Sequence, residues 1–205
     1  MPIDGLPDVP PSAQTRYVLE EKRYVFRGEV VTVRPARSED ASTIRAYIRD
    51  LSFASRYTRF LGPVNELTPA ELYRTTHGND ARSTALIVES GDGGARSMIG
   101  EARYALDGTA CEFALSVDAA WRGKGVGTLL MAIIEERAKL LGAHYLVGDV
   151  LRSNQPMLAL AHKLGFAVTK PVLDDKLFKV TKRLARLDGA QTSNQSLSPE
   201  LPIAA

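Results

Sequence analysis

The chain has 205 residues, 44% of them hydrophobic and 24% charged, which is enough to bury one substantial core and make one domain. A formal net charge of +2, with a sequence pI near 8.7, is too small an excess for a general nucleic-acid or membrane-surface binder, and no apolar run reaches membrane-spanning length. The single cysteine, Cys111, excludes an internal disulfide and a Cys-x-x-Cys metal or redox site, and the N-terminus lacks the basic-then-apolar order of a signal peptide, so a cytoplasmic protein is expected.

Residues 1–27 read as a leader. Pro2, Pro7, Pro10 and Pro11 and few large apolar residues predict flexibility to about Arg16, whereas Tyr17 to Arg27 mixes aromatics and charges as an extra helical turn or an edge strand would. The domain proper is expected over 28–185. Val30 to Val33 are β-branched and predict a strand stopped by Pro35. Ser38 then offers a cap for a helix with Ile44, Tyr47, Ile48 and Leu51 on one stripe. A short helical piece follows from Phe53 to Phe60, on which Arg56 and Arg59 read as solvated charges, with the lining of an acceptor cleft as the alternative. Thr68-Pro69-Ala70-Glu71 has the order of a capping box and opens a helix to about Thr75.

From Thr84 the hydrophobic period becomes that of strands. Thr84 to Glu89, Ser97 to Leu106 and Ala110 to Val117 are predicted strands, the first two joined across Gly91-Asp92-Gly93-Gly94 and the last two across Asp107-Gly108. Alternation sets Cys111, Phe113, Leu115 and Val117 on one face, with Glu112, Ala114 and Ser116 on the other. A carboxylate among small residues on a strand face is unusual.

Next comes Arg122-Gly123-Lys124-Gly125-Val126-Gly127-Thr128, a glycine-rich, basic corner where a strand ends and a helix with Leu129, Leu130, Ile133, Ile134, Ala138 and Leu141 on one stripe begins. Glycines turn the backbone tightly, and the unpaired N–H groups of a helix start favour a phosphate, although a plain strand-to-helix turn has the same composition. Asp118 stands where a nucleoside-triphosphate loop needs its first Gly, and Thr128 stands where the dinucleotide fingerprint needs its third, so both are excluded. That helix should end at Gly142. A strand from His144 to Val150, parallel to the one ending at Val117, a helix from Pro156 to Leu164 led by Asn154, and strands at 166–172 and 177–183 around Asp174-Asp175 complete the domain; a disordered tail is expected over 186–205.

The order of elements, with Arg122-Gly123-Lys124-Gly125-Val126-Gly127 matching the acetyl-coenzyme A signature and Asn154 leading to Lys163-Leu164-Gly165-Phe166, resembles the GNAT acetyltransferase superfamily. Leu51-Ser52, Ser55, Arg59-Phe60, Glu112-Phe113-Ala114 and Val147-Gly148-Asp149-Val150-Leu151 are similar to the acetyltransferase domain of bacterial Pat-type protein lysine acetyltransferases, from about Val31 to Phe166. Ala54 and Leu61 replace a Glu and a Phe common there. The resemblance implies an α/β (α+β) GNAT fold: a mixed, largely antiparallel twisted sheet of about six to seven strands with a splayed parallel pair, flanked by about four helices.

The resemblance also implies an N-acetyltransferase that takes acetyl-CoA as co-substrate. Coenzyme contacts would come from Leu115, Ser116 and Val117 along the pantetheine arm, from Arg122, Gly123, Lys124, Gly125, Val126, Gly127 and Thr128 at the pyrophosphate, and from Asn154 near the thioester. Glu112 would be the general base. The acceptor would be a protein lysine or a small amine, with no nucleic acid, membrane or metal involved; an oligomer is compatible with this reading. A free lysine ionises near ~10.4 and a free glutamate near ~4.3, so direct proton transfer is uphill by about 6 pH units, roughly 8 kcal/mol. Ala161 stands where many GNAT enzymes carry a Tyr as general acid. A non-catalytic acyl-CoA-binding or sensing module is therefore the competing class. His77 and His144 have no partners at metal-binding spacing, and Cys111, opposite Glu112, reads as a buried hydrophobe.

Overall fold

The computed structural model describes residues 19–78, 80, 82–92, 96–171 and 175–185. The part of the leader expected to be flexible, Gly93 and Gly94 of the first turn, Val172, Asp174 and the expected tail lie outside the described residues. Strands β1 (Lys22–Phe26) and β2 (Glu29–Pro35) precede helices α1 (Ala41–Asp50), α2 (Phe53–Phe60) and α3 (Pro69–His77). Strands β3 (Ser83–Ser90), β4 (Ser97–Asp107) and β5 (Ala110–Val117) follow, then α4 (Val126–Leu140), β6 (Tyr145–Leu151), α5 (Gln155–Lys163), β7 (Ala167–Thr169) and β8 (Leu177–Arg183).

All eight strands join one sheet in the order β1-β2-β3-β4-β5-β6-β8-β7. Among the described residues this is one strand more than the resemblance implies, and the five helices are the five read along the chain. The added strand is β1, which pairs antiparallel with β2 from Lys22↔Val33 to Phe26↔Glu29. Its two-residue turn, Arg27 and Gly28, has φ of 51° and 84°, the left-handed pair that matches the twist of a hairpin. Ser38 does not cap α1. A 3-10 turn over Ser38–Asp40 comes first, and the Asp40 carboxylate accepts from the Arg37 N–H at 2.7 Å, because Asp40 is also drawn inward by Arg34. The Thr68 box forms as expected, with Thr68 N–H donating to Glu71 at 2.8 Å and Glu71 N–H to Thr68 Oγ1 at 3.3 Å, and Pro69 in the first turn.

The two sheet faces differ in chemistry. On one, Val31, Val33, Leu86, Val88, Ala102, Tyr104 and Cys111 pack with Leu130, Met131, Ile134 and Ala138 of α4 in the main apolar core. Each Val, Leu, Ile or Met side chain among them contributes about 1.5–3 kcal/mol when fully buried. On the other face Ala85 and Ile87 meet Ile44, Tyr47 and Ile48 of α1 and Leu72 of α3. That face also buries Arg34, Glu89, Glu101 and Ser116, each less than a tenth exposed. Buried charge needs partners. Arg34 donates to Asp40 at 2.7 and 2.8 Å and to Glu89 at 3.1 and 3.2 Å.

Candidate active site

The sheet opens at its centre. β5 pairs with β4 along its whole length, from Gly100↔Val117 to Asp107↔Ala110. Its other edge pairs in parallel with β6 only at Ala110↔Tyr145, Cys111↔Leu146 and Glu112↔Val147. Beyond Glu112 the strands diverge, and the Phe113 ring fills the start of the gap, 3.0 Å from where a Cβ on Gly148 would stand. The far edge of β5 from Leu115 to Val117 is thus a strand edge without its neighbour, a ready template for an extended ligand.

The glycine corner lies at the open end of this fork. Gly123 and Gly125 have φ of 71° and 101°, and Gly125 also lies against Phe26 of β1, whose Cε1 would be 3.2 Å from an added Cβ. Gly127 faces Leu160 Cδ2 of α5 at 3.3 Å from an added Cβ, so α4 and α5 approach closely here. Gly125 ends the corner in a left-handed conformation, and the first N–H groups of α4 follow it without a side-chain cap. A groove of about 560 Å³ runs from these N–H groups along the fork.

Of the predicted coenzyme contacts, Leu115, Ser116, Val117, Arg122, Gly123, Gly125, Gly127, Thr128 and Asn154 line that groove. Val126 is fully buried. Lys124 turns away: its Nζ lies 4.3 Å over the Trp121 ring and 3.4 Å from Glu29. Arg122 lies across the corner, donating from Nε to the Val117 carbonyl at 3.2 Å and from Nη2 to Ser55 Oγ at 2.8 Å. Asn154 serves as the cap of α5, its Oδ1 accepting from the Met157 N–H at 3.2 Å.

Glu112 does not line this groove. Its exposed side chain projects into a second cavity of about 390 Å³ between the polar sheet face and the helices α1 to α3. Arg59 lines both spaces. It is not the solvated helix charge its position suggested: Nε and Nη2 donate to Glu101 at 2.5 and 2.8 Å, and the two side chains are 13% and 11% exposed. Burial works against the Arg59 charge, and Glu101 more than restores it, so its pKa is raised. Glu101 also accepts from the Ser116 hydroxyl at 2.7 Å, and Tyr47 Oη lies 3.2 Å from Ser116 Oγ. Burial holds the Tyr47 phenol protonated well above its usual range. Arg56 is tied to the carbonyls of Arg49, Leu51 and Val64.

Glu101 is the member of this cluster that sequence reasoning passed over, while Arg59, which the sequence left as either a solvated charge or the lining of an acceptor cleft, stands on the wall of both spaces. The alternation that singles out Glu112 also sets Glu101 apart from Ala102 and Tyr104, one strand away on the same face, and was the signal available. Cys111 is fully buried on the opposite face, and burial pushes its thiol up to about 11, which leaves it unreactive. Among the described residues no three His, Cys, Asp or Glu side chains are grouped to hold a metal ion, and no helix is long and apolar enough to cross a membrane.

Residues 47–166 match the sequence profile of the acetyltransferase (GNAT) family. The chain is 30% identical over 141 residues to the Pseudomonas aeruginosa acetyltransferase PA5475, an overlap of 68% of this chain and 76% of that protein. It superimposes on the GNAT domain of S. lividans PAT with a TM-score of 0.71 and 26% identity, covering 80% of this chain and 97% of that one. The Salmonella typhimurium protein yncA, solved with its cofactor acetyl-CoA, shares the fold at a TM-score of 0.54 and 22% identity, over 80% of this chain and 99% of that one.

Proposed function

The chain belongs to the GNAT acetyltransferase family, and on that footing we propose that it transfers the acetyl group of acetyl-CoA to a primary amine of the lysine type, with Glu112 receiving the amine's proton. The observation that carries the reading is the fork: the β5–β6 ladder stops at Glu112↔Val147, and the uncapped start of α4 lies at its mouth. The N–H groups from Gly123 to Thr128 suit a pyrophosphate, and the free edge of Leu115 to Val117 suits the amide groups of a pantetheine arm. Acetyl-CoA supplies the activated acyl carbon as a thioester. Asn154 lines the groove near the thioester, and its Oδ1, which caps α5, also fixes that helix beside it.

Glu112 faces the cavity on the other side of Arg59, so the acceptor enters from under α1 to α3 and meets the coenzyme near Ala114 and Leu115. The amine nitrogen bonds to the acyl carbon, the carbon–sulfur bond breaks, and Glu112 takes the proton that the nitrogen loses. The uphill transfer of roughly 8 kcal/mol from a free ammonium is avoided if the cavity selects the neutral amine or passes the proton through water. No tyrosine stands at the Ala161 position, which is fully buried, so the thiolate takes its proton from solvent in the open groove.

Following free thiol with acetyl-CoA and a panel of amines and lysine-containing peptides tests this. Glu112→Gln should retain coenzyme binding and lower turnover by about 10²-fold or more. An unchanged rate removes Glu112 from the mechanism. Coenzyme binding with no transfer to any acceptor favours the sensing module, the reading to which the missing tyrosine points.

A further inference from the structure

The Glu112 cavity has six ionisable side chains on its walls: Arg59, Glu71, Arg74, Glu101, Arg103 and Glu112. Arg59 and Glu101 neutralise each other, and Glu71 Oε2 accepts from Thr68 N–H and Oγ1 at 2.8 and 2.7 Å. Those Thr68 hydrogen bonds, with a smaller contribution from the Arg74 charge, hold the Glu71 carboxyl below its usual range. Three groups remain. Arg74, Arg103 and Glu112 are exposed to the cavity, and none forms a side-chain hydrogen bond or ion pair among the described residues.

The register places two of them together. Arg103 stands opposite Ala114 and Glu112 opposite Ala105, so Arg103 and Glu112 share a face as diagonal neighbours, roughly 7–8 Å apart. The other two corners of this patch, Ala105 and Ala114, are small and leave the space between the charges open. Arg74 looks down on it from α3. Beside Glu112 there are thus two guanidiniums, whose forked donors fit a carboxylate. Among the described residues neither guanidinium has a carboxylate hydrogen-bonded to it there, so an acceptor carrying its own anion supplies the partner, while its amine is left at Glu112.

We propose that this cavity takes an acceptor amine that also carries a carboxylate, and that Arg103, assisted by Arg74, recognises the carboxylate. The proposal rests on the acetyl-transfer reading and names the acceptor class for it. The carboxylate has two sources, an amino acid or an acidic side chain beside a lysine in a polypeptide, and a plain diamine is disfavoured.

Two matched pairs separate these sources: norleucine against pentylamine, and a capped peptide with its lysine between two aspartates against the same peptide with alanines. In the full chain, kcat/KM should be at least about tenfold higher for the anionic member of one pair, a preference of about 1.4 kcal/mol. The pair that shows it identifies the source. In the double variant Arg74→Gln, Arg103→Gln the ratio should fall towards one; melting temperature checks that these exposed sites leave the fold intact. A ratio near one in the parent, or one that survives the double variant, overturns the proposal while acetyl transfer stands. If no acceptor is turned over, acetyl transfer fails, and calorimetry with the same four compounds decides the cavity separately. Heat from an anionic member alone, lost in the double variant, sustains anion recognition; no heat from either overturns it.

Discussion

Replacing Arg59 with Met keeps the length of the side chain and removes the guanidinium that Glu101 depends on. Glu101 would then retain the Ser116 hydroxyl at 2.7 Å as its donor, in a position where its side chain is 11% exposed. Breaking a buried ion pair in this way costs about 3–5 kcal/mol, because the remaining charge stays desolvated without its partner. At roughly 2–4 °C per kcal/mol for a domain of this size, the Arg59→Met variant should melt roughly 6–20 °C lower. Glu101→Leu should cost a similar amount by stranding Arg59. The double variant removes both charges, and Ser116 keeps Tyr47 as a partner at 3.2 Å, so it should return to within about 2 kcal/mol of the parent. Urea unfolding followed by fluorescence of the buried Trp121 measures all four proteins. Single variants that each lose under about 1 kcal/mol, or a double variant that loses the sum of the singles, would refute the pairing as the origin of the stability.

Two further outcomes follow from local geometry. Gly125→Ala imposes a side chain at φ of 101° and 3.2 Å from Phe26 Cε1, so it should destabilise by about 1–3 kcal/mol and weaken acetyl-CoA binding by calorimetry; an unchanged melting temperature would show that the corner tolerates a Cβ. For Asp40, burial raises the carboxyl pKa, but the hydrogen bonds from Arg34 and Arg37 and their charges outweigh it and lower the pKa overall. A carboxylate lowered in the folded state stabilises above its unfolded pKa of about 3.9 and loses that contribution as pH falls through the folded value. Melting temperature should therefore fall on acidification below about pH 5, less steeply in Asp40→Asn, and equal slopes would exclude Asp40 as a source.

Local signals were legible wherever a residue type has one physical use. The Thr68 box, the glycine corner, the strand over Ala110–Val117 and the helix after Asn154 all stand where their residues place them. The fork was legible through resemblance, since no local pattern says where a ladder stops. What the sequence hid depends on distant partners. Lys22–Phe26, charged and weakly alternating, left a helical turn and an edge strand both open, and is a strand because β2 offers it an edge and Phe26 finds Gly125. Arg59 looks like a surface charge until Glu101, 42 residues away, is brought beneath it. Glu112 was recognised as unusual on its strand, but its separation from the groove by Arg59 is a property of how α2 sits on the sheet. The capping role of Asn154 is written in its sequence position, ahead of Gln155 and Pro156, where it leads the helix as read.

The short ladder between β5 and β6 divides the sheet into two leaves, of five strands and of three. Within the larger leaf each seam holds between five and eight residue pairs; in the smaller one β6 with β8 holds seven and the short terminal strand β7 pairs with β8 at three, whereas the leaves themselves, though β5 and β6 are eight and seven residues long, meet at three pairs, all at one end. A plate joined this way is compliant in one direction. Stretching along any strand works against every ladder at once, but widening the mouth at Val117 strains only the packing of α4 and α5 and the Phe113 ring. The angle between the leaves is therefore opposed by few ladder bonds at the mouth, and it coincides with the dimension that a guest between them must fit.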